Sequence, residues 1–69
     1  MRRSPLLTYR ETEVIRAIWD GLGNKQIAHV LKLSVHTIEF HRTRIYRKLQ
    51  VDGPVSLVRK ALALGILTL

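Results

Sequence analysis

Three features of this sequence predict an all-α fold of four short helices, the middle two forming a helix-turn-helix. Apolar residues recur at the three- and four-residue spacings of a helix face. Capping residues stand at the start of the periodic runs, and glycines or a glycine-proline pair separate the first run from the second and the third from the fourth. The segment from Ser34 to Leu49, wound as a helix, puts Ile38, Ile45 and Leu49 on one side and His36, Phe40, Thr43, Arg44 and Arg47 on the other. One side anchors the helix and the other is free to read a partner.

Thr8 and Glu11 have the spacing of a capping box, in which the threonine oxygen accepts from the third helical amide and the glutamate accepts from the cap amide. Helix one therefore starts at Thr8, with Val14, Ile15, Ile18 and Leu22 on one face and Trp19 at its edge, until Gly21 and Gly23 loosen the chain. Trp19 reads as a residue at the rim of the core rather than a base-stacking one. Asn24 is suited to cap a second helix in which Ile27, Val30 and Leu31 point inward and Lys25, His29 and Lys32 outward. Leu33 falls in a short turn that lacks the glycine often found there, and Ser34 caps helix three.

Helix three is expected to run to about Gln50, where Val51-Asp52-Gly53-Pro54 breaks it. A proline is tolerated in a first helical turn because its missing amide has no helical partner there, so Asp52 or Gly53 can cap a fourth helix that ends near Gly65. Leu57, Ala61 and Leu64 form one apolar stripe of that helix, and Val55, Val58 and Leu62 form a second, nearly opposite. The second is either a partner surface, with Arg59 beside it, or the seat of the C-terminal tail Ile66, Leu67 and Leu69 folded back.

The chain has 69 residues, enough for one small domain. It contains no cysteine, which excludes disulfides and thiolate metal sites. No apolar run approaches the roughly 20 residues needed to span a bilayer, and the start of the chain lacks the apolar stretch of a signal peptide. The expected place is therefore the cytoplasm, with no membrane partner. Residues 1–6 read as an arm or linker remnant and residues 7–69 as the domain. A formal net charge of +7 and an isoelectric point near 10.9 point to a polyanionic partner. Lys25, Lys32, Arg42, Arg44, Arg47 and Lys48 crowd one stretch with Glu39 as its single acid, whereas Glu11, Glu13 and Asp20 gather on helix one. That polarity suits a protein with one DNA-facing side. Exposed Phe40 strengthens the reading, because an aromatic on a polar face needs a base methyl or sugar to contact.

Catalytic chemistry is not expected. There is no phosphate-binding glycine loop, nucleophile elbow or carboxylate pair, and His29, His36, Glu39 and His41 lack a metal-site spacing, so neither a metal nor another cofactor is implied. His41, at the border of the core face, suits packing or a phosphate contact.

Leu7-Thr8-Tyr9-Arg10-Glu11-Thr12-Glu13-Val14-Ile15, Gly21, Asn24-Lys25-Gln26-Ile27-Ala28, Leu31, Ser34, Thr37-Ile38-Glu39, His41, Ile45, Lys48-Leu49, Val51 and Ala61 together resemble the LuxR-type helix-turn-helix domain, the DNA-binding module of many bacterial response regulators and quorum-sensing activators. The resemblance covers Leu7 to about Leu67. It implies a four-helix domain with its motif at about residues 24–43, a fourth helix that supports dimerisation, phosphate contacts from Lys25 and Thr37, and base-edge contacts from Glu39, Phe40 and Thr43. The chain departs from the family pattern at Glu39, often lysine, at Arg44, often asparagine, and at Pro54, where arginine is common. A glutamate at position 39 either accepts from cytosine N4 as a specificity device or pairs with Arg42 or Thr43.

The expected function is sequence-specific binding of double-stranded DNA by a bacterial transcription regulator, with helix three in the major groove of two half-sites bound by a homodimer. The contact set is Lys25, Ser34, His36, Thr37, Glu39, Phe40, Thr43, Arg44, Arg47 and Lys48, and the dimer set is Val55, Val58, Arg59 and Leu62. RNA polymerase is a further candidate partner. A sigma-factor-like promoter-binding segment and a protein-interaction module built on the fourth helix are the rival readings. With no room for a receiver or ligand-binding domain, the chain reads as either a small self-contained regulator or an output domain.

Overall fold

The computed structural model describes residues 7–69, and the arm expected at residues 1–6 lies outside them. Four helices follow in order: α1 Tyr9–Trp19, α2 Asn24–Leu31, α3 Val35–Leu49 and α4 Pro54–Ala63. α3 packs against each of the other three, and α1 also touches α2 and α4. The body measures 28 × 22 × 21 Å. None of its helices is long and apolar enough to cross a membrane.

The core has two clusters. Leu7, Val14, Ile15, Ile45, Leu49, Leu57, Ala61 and Leu67 make the larger, joining α1, α3 and α4, while Ala17, Ile27, Ala28 and Ile38 make the smaller under α2. Ile18 and Leu31 pack against both and weld them together. Three of the fully buried residues, Ile38, Ile45 and Leu49, are the predicted inner face of α3. Burying a side chain of this size contributes roughly 1.5–3 kcal/mol, so α3 is fixed mainly by its underside.

Helix starts follow the sequence with one exception. Thr8 caps α1 with the complete reciprocal capping box, Thr8 Oγ1 accepting from the Glu11 amide at 3.1 Å and Glu11 Oε1 accepting from the Thr8 amide at 3.0 Å. Ser34 Oγ accepts from the Thr37 amide at the start of α3. Gly53 caps α4, while Asp52 accepts instead from the Ser56 hydroxyl. The exception is α2, where Gly23 occupies the capping place and Asn24 is already helical. Its side-chain oxygen is engaged elsewhere, by Arg42.

All four helices end in the same way, with a residue of positive φ followed by an apolar residue whose amide reaches back to the last turn. Gly21, Lys32, Gln50 and Gly65 take the left-handed conformation, and the amides of Leu22, Leu33, Val51 and Ile66 then bond to the carbonyls of Ala17, Ala28, Tyr46 and Ala61. Each of those apolar residues packs on a core cluster, the hydrophobic closure of a Schellman motif. The missing glycine in the turn of the helix-turn-helix is thus explained: Lys32 adopts φ 59° and ψ 44° in its place.

Several inward assignments change. Val30 is 61% exposed, because α2 turns Ile27, Ala28 and Leu31 inward rather than the arc containing Val30. Leu64 is 54% exposed, because the helix stops at Ala63 and its buried stripe is only Leu57 and Ala61. Leu62 is partly buried against the larger cluster, and the tail returns over that cluster through Ile66 and Leu67, leaving Leu69 exposed.

A left-handed backbone costs a residue with a Cβ about 1 kcal/mol or more, partly offset by the greater unfolded-state freedom of glycine. Gln50→Gly is expected to stabilise the domain by roughly 0.5–1 kcal/mol. Thermal unfolding followed by circular dichroism should show a midpoint a few degrees higher; an unchanged or lower midpoint contradicts this account of the closure.

Candidate nucleic-acid interface

The outward side of α3 is built by exclusion. With Ile38, Ile45 and Leu49 committed to the core, the helical period leaves Val35, His36, Glu39, Phe40, Thr43, Arg44 and Arg47 in solvent. Phe40 is 55% exposed, a large apolar surface held among polar groups. The Arg44 guanidinium lies over its ring at 5.6 Å, a cation–π contact that shields part of it. At the start of α3 the Ser34 and Thr37 hydroxyls are 2.9 Å apart, beside the positive end of the helix dipole. Across the turn Lys25 is exposed in the first turn of α2, where Gly23 supplies no side-chain oxygen to the first amides. Such amides, with a lysine among them, suit an anion.

Arg42 locks α2 to α3. Its Nη1 donates to Asn24 Oδ1 at 2.9 Å and its Nη2 to the Tyr46 hydroxyl at 2.7 Å, with the guanidinium 5.7 Å from the Tyr46 ring centre. Arg42 is therefore not the partner of Glu39. Thr43 is not one either in the sense expected, since its hydroxyl donates to the Glu39 backbone carbonyl and leaves the carboxylate alone. Asn24, Glu39, Arg42, Thr43 and Tyr46 line an open polar cleft of about 470 Å³ between the two helices.

The opposite flank of α3 is tied to α1 through Glu11. This residue is 1% exposed, the one buried charged side chain among the described residues, and each of its carboxylate oxygens has a partner within the fold. Lys48 Nζ donates to Oε1 at 2.7 Å, the Thr8 amide donates to the same oxygen, and Arg44 Nε lies 3.4 Å from Oε2. Burial by itself raises the Glu11 pKa, but the Lys48 hydrogen bond, the Thr8 amide, the Lys48 charge and Arg44 together outweigh it and hold the carboxyl below its ordinary value. The expected acidic side of helix one is reduced accordingly: Glu11 faces α3, Glu13 pairs with Arg10 at 3.3 Å, and Asp20 alone is exposed.

Of the residues predicted for DNA contact, His36, Glu39, Phe40, Thr43, Arg44 and Arg47 share one exposed face, with Ser34 and Thr37 at its N-terminal end, and Lys25 is exposed at the start of α2, next to the Asn24 that reaches Arg42 in the middle of α3. Lys48 sits apart, three-quarters buried and neutralised by Glu11. His41 lies on the underside, half-buried, with Nδ1 enclosed and unpartnered among the described residues. The tie of Glu11 to α3 and the roles of Asn24, Arg42 and Tyr46 were not found by sequence reasoning. A clue to Glu11 existed in the lone acid of the capping box with Lys48 and Arg44 unmatched, but pairing across 33 and 37 residues needs the fold.

On the far side, Ile18, Trp19, Pro54, Val55, Val58 and Arg59 line a shallow apolar groove of about 320 Å³ between α1 and α4. Val55 is 72% exposed and Trp19 36% exposed. Of the expected dimer set Val55, Val58, Arg59 and Leu62, the first three line this groove together with Trp19, and Leu62 does not. Among the described residues no group of three or more His, Asp or Glu is arranged to hold a metal.

A short helix, a tight turn and a longer helix that bares a basic and aromatic face define a helix-turn-helix module of the nucleic-acid-binding class. Residues 5–61 match the model of the luxR family of bacterial regulatory proteins, and the chain belongs to that family. It is a module of transcription regulation by DNA binding. The chain is 44% identical over 63 residues to the uncharacterized response regulatory protein YgeK of Escherichia coli (strain K12), covering 91% of this chain and 43% of that protein. It is 41% identical over 63 residues to the transcriptional regulatory protein FixJ of Rhizobium meliloti (strain 1021), covering 91% of this chain and 31% of that one. Against the oxygen regulatory protein NreC of Staphylococcus carnosus (strain TM300) the identity is 44% over 57 residues, 83% of this chain and 26% of that one. The crystal structure of the response regulator ChrA of a heme-sensing two-component system superposes with a TM-score of 0.86 at 31% identity, covering 97% of this chain and 33% of that chain. The chain thus spans less than half the length of each.

Because the Glu11 carboxyl is held below its ordinary pKa, its stabilising effect is fully present above the unfolded-state value of about 4.3 and is lost as pH falls through the lower folded value. Glu11→Gln is expected to cost about 2 kcal/mol at neutral pH, the size of a hydrogen bond to a buried charge, with the half-exposed Arg44 adding little. The two proteins should converge in stability as pH falls through the lowered folded value of Glu11. Urea titrations at several pH values test this, and a gap that stays constant into acid refutes the ionic role.

Proposed function

We propose that the domain binds double-stranded DNA sequence-specifically, with α3 in the major groove and two copies on adjacent half-sites. One observation carries the reading: α3 buries Ile38, Ile45 and Leu49 and leaves His36, Glu39, Phe40, Thr43, Arg44 and Arg47 on a continuous exposed face. The helix is about 22 Å long at 1.5 Å per residue, and a groove about 12 Å wide admits it. Glu39, Phe40 and Thr43, in its N-terminal and middle turns, meet base edges. The Ser34–Thr37 pair meets phosphates at the N-terminal end of α3, Lys25 meets them from the start of α2, Arg47 meets them further along α3, and Arg44 reaches either a phosphate or a guanine. Lys48 contributes through Glu11 rather than through the duplex. The site of action is the bacterial chromosome in the cytoplasm.

Pairing of two copies runs through Val55, Val58 and Arg59 with Trp19, the apolar groove on the side away from α3. A stripe with this much exposed apolar surface on a small domain suits association. DNA-bound pairs need only a weak contact, because the duplex supplies the effective concentration.

In a salt titration, log affinity should fall against log salt by about 0.9 for each phosphate neutralised. Arg47→Ala should reduce that slope by about one contact and weaken all duplexes alike, keeping base preference, since phosphate contacts position without reading. A flat salt response, or a changed preference in Arg47→Ala, argues against the assignment.

Val55→Glu and Val58→Glu should each abolish cooperative occupancy of a duplex with two half-sites while leaving single half-site binding and helical circular dichroism intact. Cooperativity of normal size in both variants places the seam elsewhere.

A further inference from the structure

We propose that Glu39 makes this domain select cytosine, by accepting a hydrogen bond from the cytosine N4 amine; the proposal rests on the reading of α3 as the groove helix. Glu39 is exposed on the flank of α3 that faces α2, and among the described residues no cation pairs with its carboxylate. The arginine three residues on is held away from it. Arg42 has its two terminal nitrogens on Asn24 Oδ1 at 2.9 Å and Tyr46 Oη at 2.7 Å, across the floor of the cleft that Glu39 lines. The neighbouring Thr43 hydroxyl donates to the Glu39 backbone carbonyl at 3.0 Å, which also removes it as a donor to the carboxylate. The carboxylate therefore meets the groove unneutralised, the single acid among six basic residues between Lys25 and Lys48.

An ionised carboxylate only accepts hydrogen bonds. The major groove offers it two donors, cytosine N4 and adenine N6, while guanine N7 and O6 and thymine O4 present lone pairs that repel it. Adenine places its N7 acceptor directly beside N6, against the second carboxylate oxygen. Cytosine has no acceptor on that edge. The charge thus rejects guanine and thymine strongly, disfavours adenine, and accepts cytosine. The same charge opposes phosphates everywhere, so it lowers affinity for every duplex that lacks the amine in register. It discriminates by penalty as much as by attraction.

The test is selection of bound sequences from a random duplex pool by the 69-residue chain, by Glu39→Ala and by Glu39→Gln. Position 39 is solvent-exposed and has no side-chain partner among the described residues, so all three should show the same helical circular dichroism and melting midpoint. The parent chain should enrich one cytosine per half-site whose replacement weakens binding roughly tenfold to a hundredfold. Glu39→Ala should lose preference at that position alone and bind unrelated duplexes more tightly. Glu39→Gln should move the preference there to adenine, because an amide donates to N7 as it accepts from N6. Placing N4-methylcytosine at the position keeps the base pair and points the methyl group into the groove, and should weaken the parent chain but not Glu39→Ala. An enriched site whose base preferences are the same in all three proteins, or a parent chain indifferent to the N4-methyl group, overturns the assignment and leaves sequence-specific binding standing. If no site is enriched by the parent chain, the reading of α3 as a groove helix fails and the assignment falls with it.

Discussion

A carboxylate at the start of α1 holds the domain in register. Glu11 closes the first helix by accepting from the Thr8 amide, and with the same side chain it draws Lys48 and Arg44 of α3 onto α1. A buried charge without partners is expensive in a domain this small, so the position tolerates only arrangements in which a cation from α3 arrives. The apolar underside of α3 fixes how deeply that helix sits. The ionic contact limits how far it can slide or roll about its own axis, and hence which residues face outward.

Formal charge overstates what the domain can offer a polyanion. Lys48 is neutralised by Glu11, and Arg42 is committed to Asn24 and Tyr46. Arg44 is divided between Glu11, the face of Phe40 and solvent. Lys25, Lys32 and Arg47 have no ion-pair partner among the described residues. The basic residues of α2 and α3 thus separate into those that hold the helices together and those left free at the surface. Arg44 belongs to both groups, so a substitution there alters the fold and the face together.

The helix order, the caps at Thr8 and Ser34 and the inner face of α3 were legible because each is set by residues within a turn or two of one another. Helical period alone identified Ile38, Ile45 and Leu49, and equally the outward set. What escaped was decided by distant partners. Asn24 has the chemistry of a cap, but Arg42, eighteen positions away, takes its oxygen, and Gly23 caps instead. Val30 and Leu64 have the right residue type and spacing for burial, yet α2 rotates toward Ala28 and α4 stops before Leu64. Periodicity left two fates open to the second stripe of α4 and could not choose between them; of its three apolar members only Leu62 packs against the larger cluster.

The two-cluster core gives the domain unequal parts. α2 has eight residues and fully encloses only Ile27 and Ala28, and its cluster joins the rest through Ile18, Leu31 and the Arg42 clasp. α3 is held along its whole length by three neighbours. The Arg42 clasp is the one side-chain hydrogen bond between α2 and α3 among the described residues, so without it α2 is held by its small apolar cluster alone. Asn24 and Arg42 thereby couple the position of α2, and of the exposed Lys25 it carries, to the middle of α3.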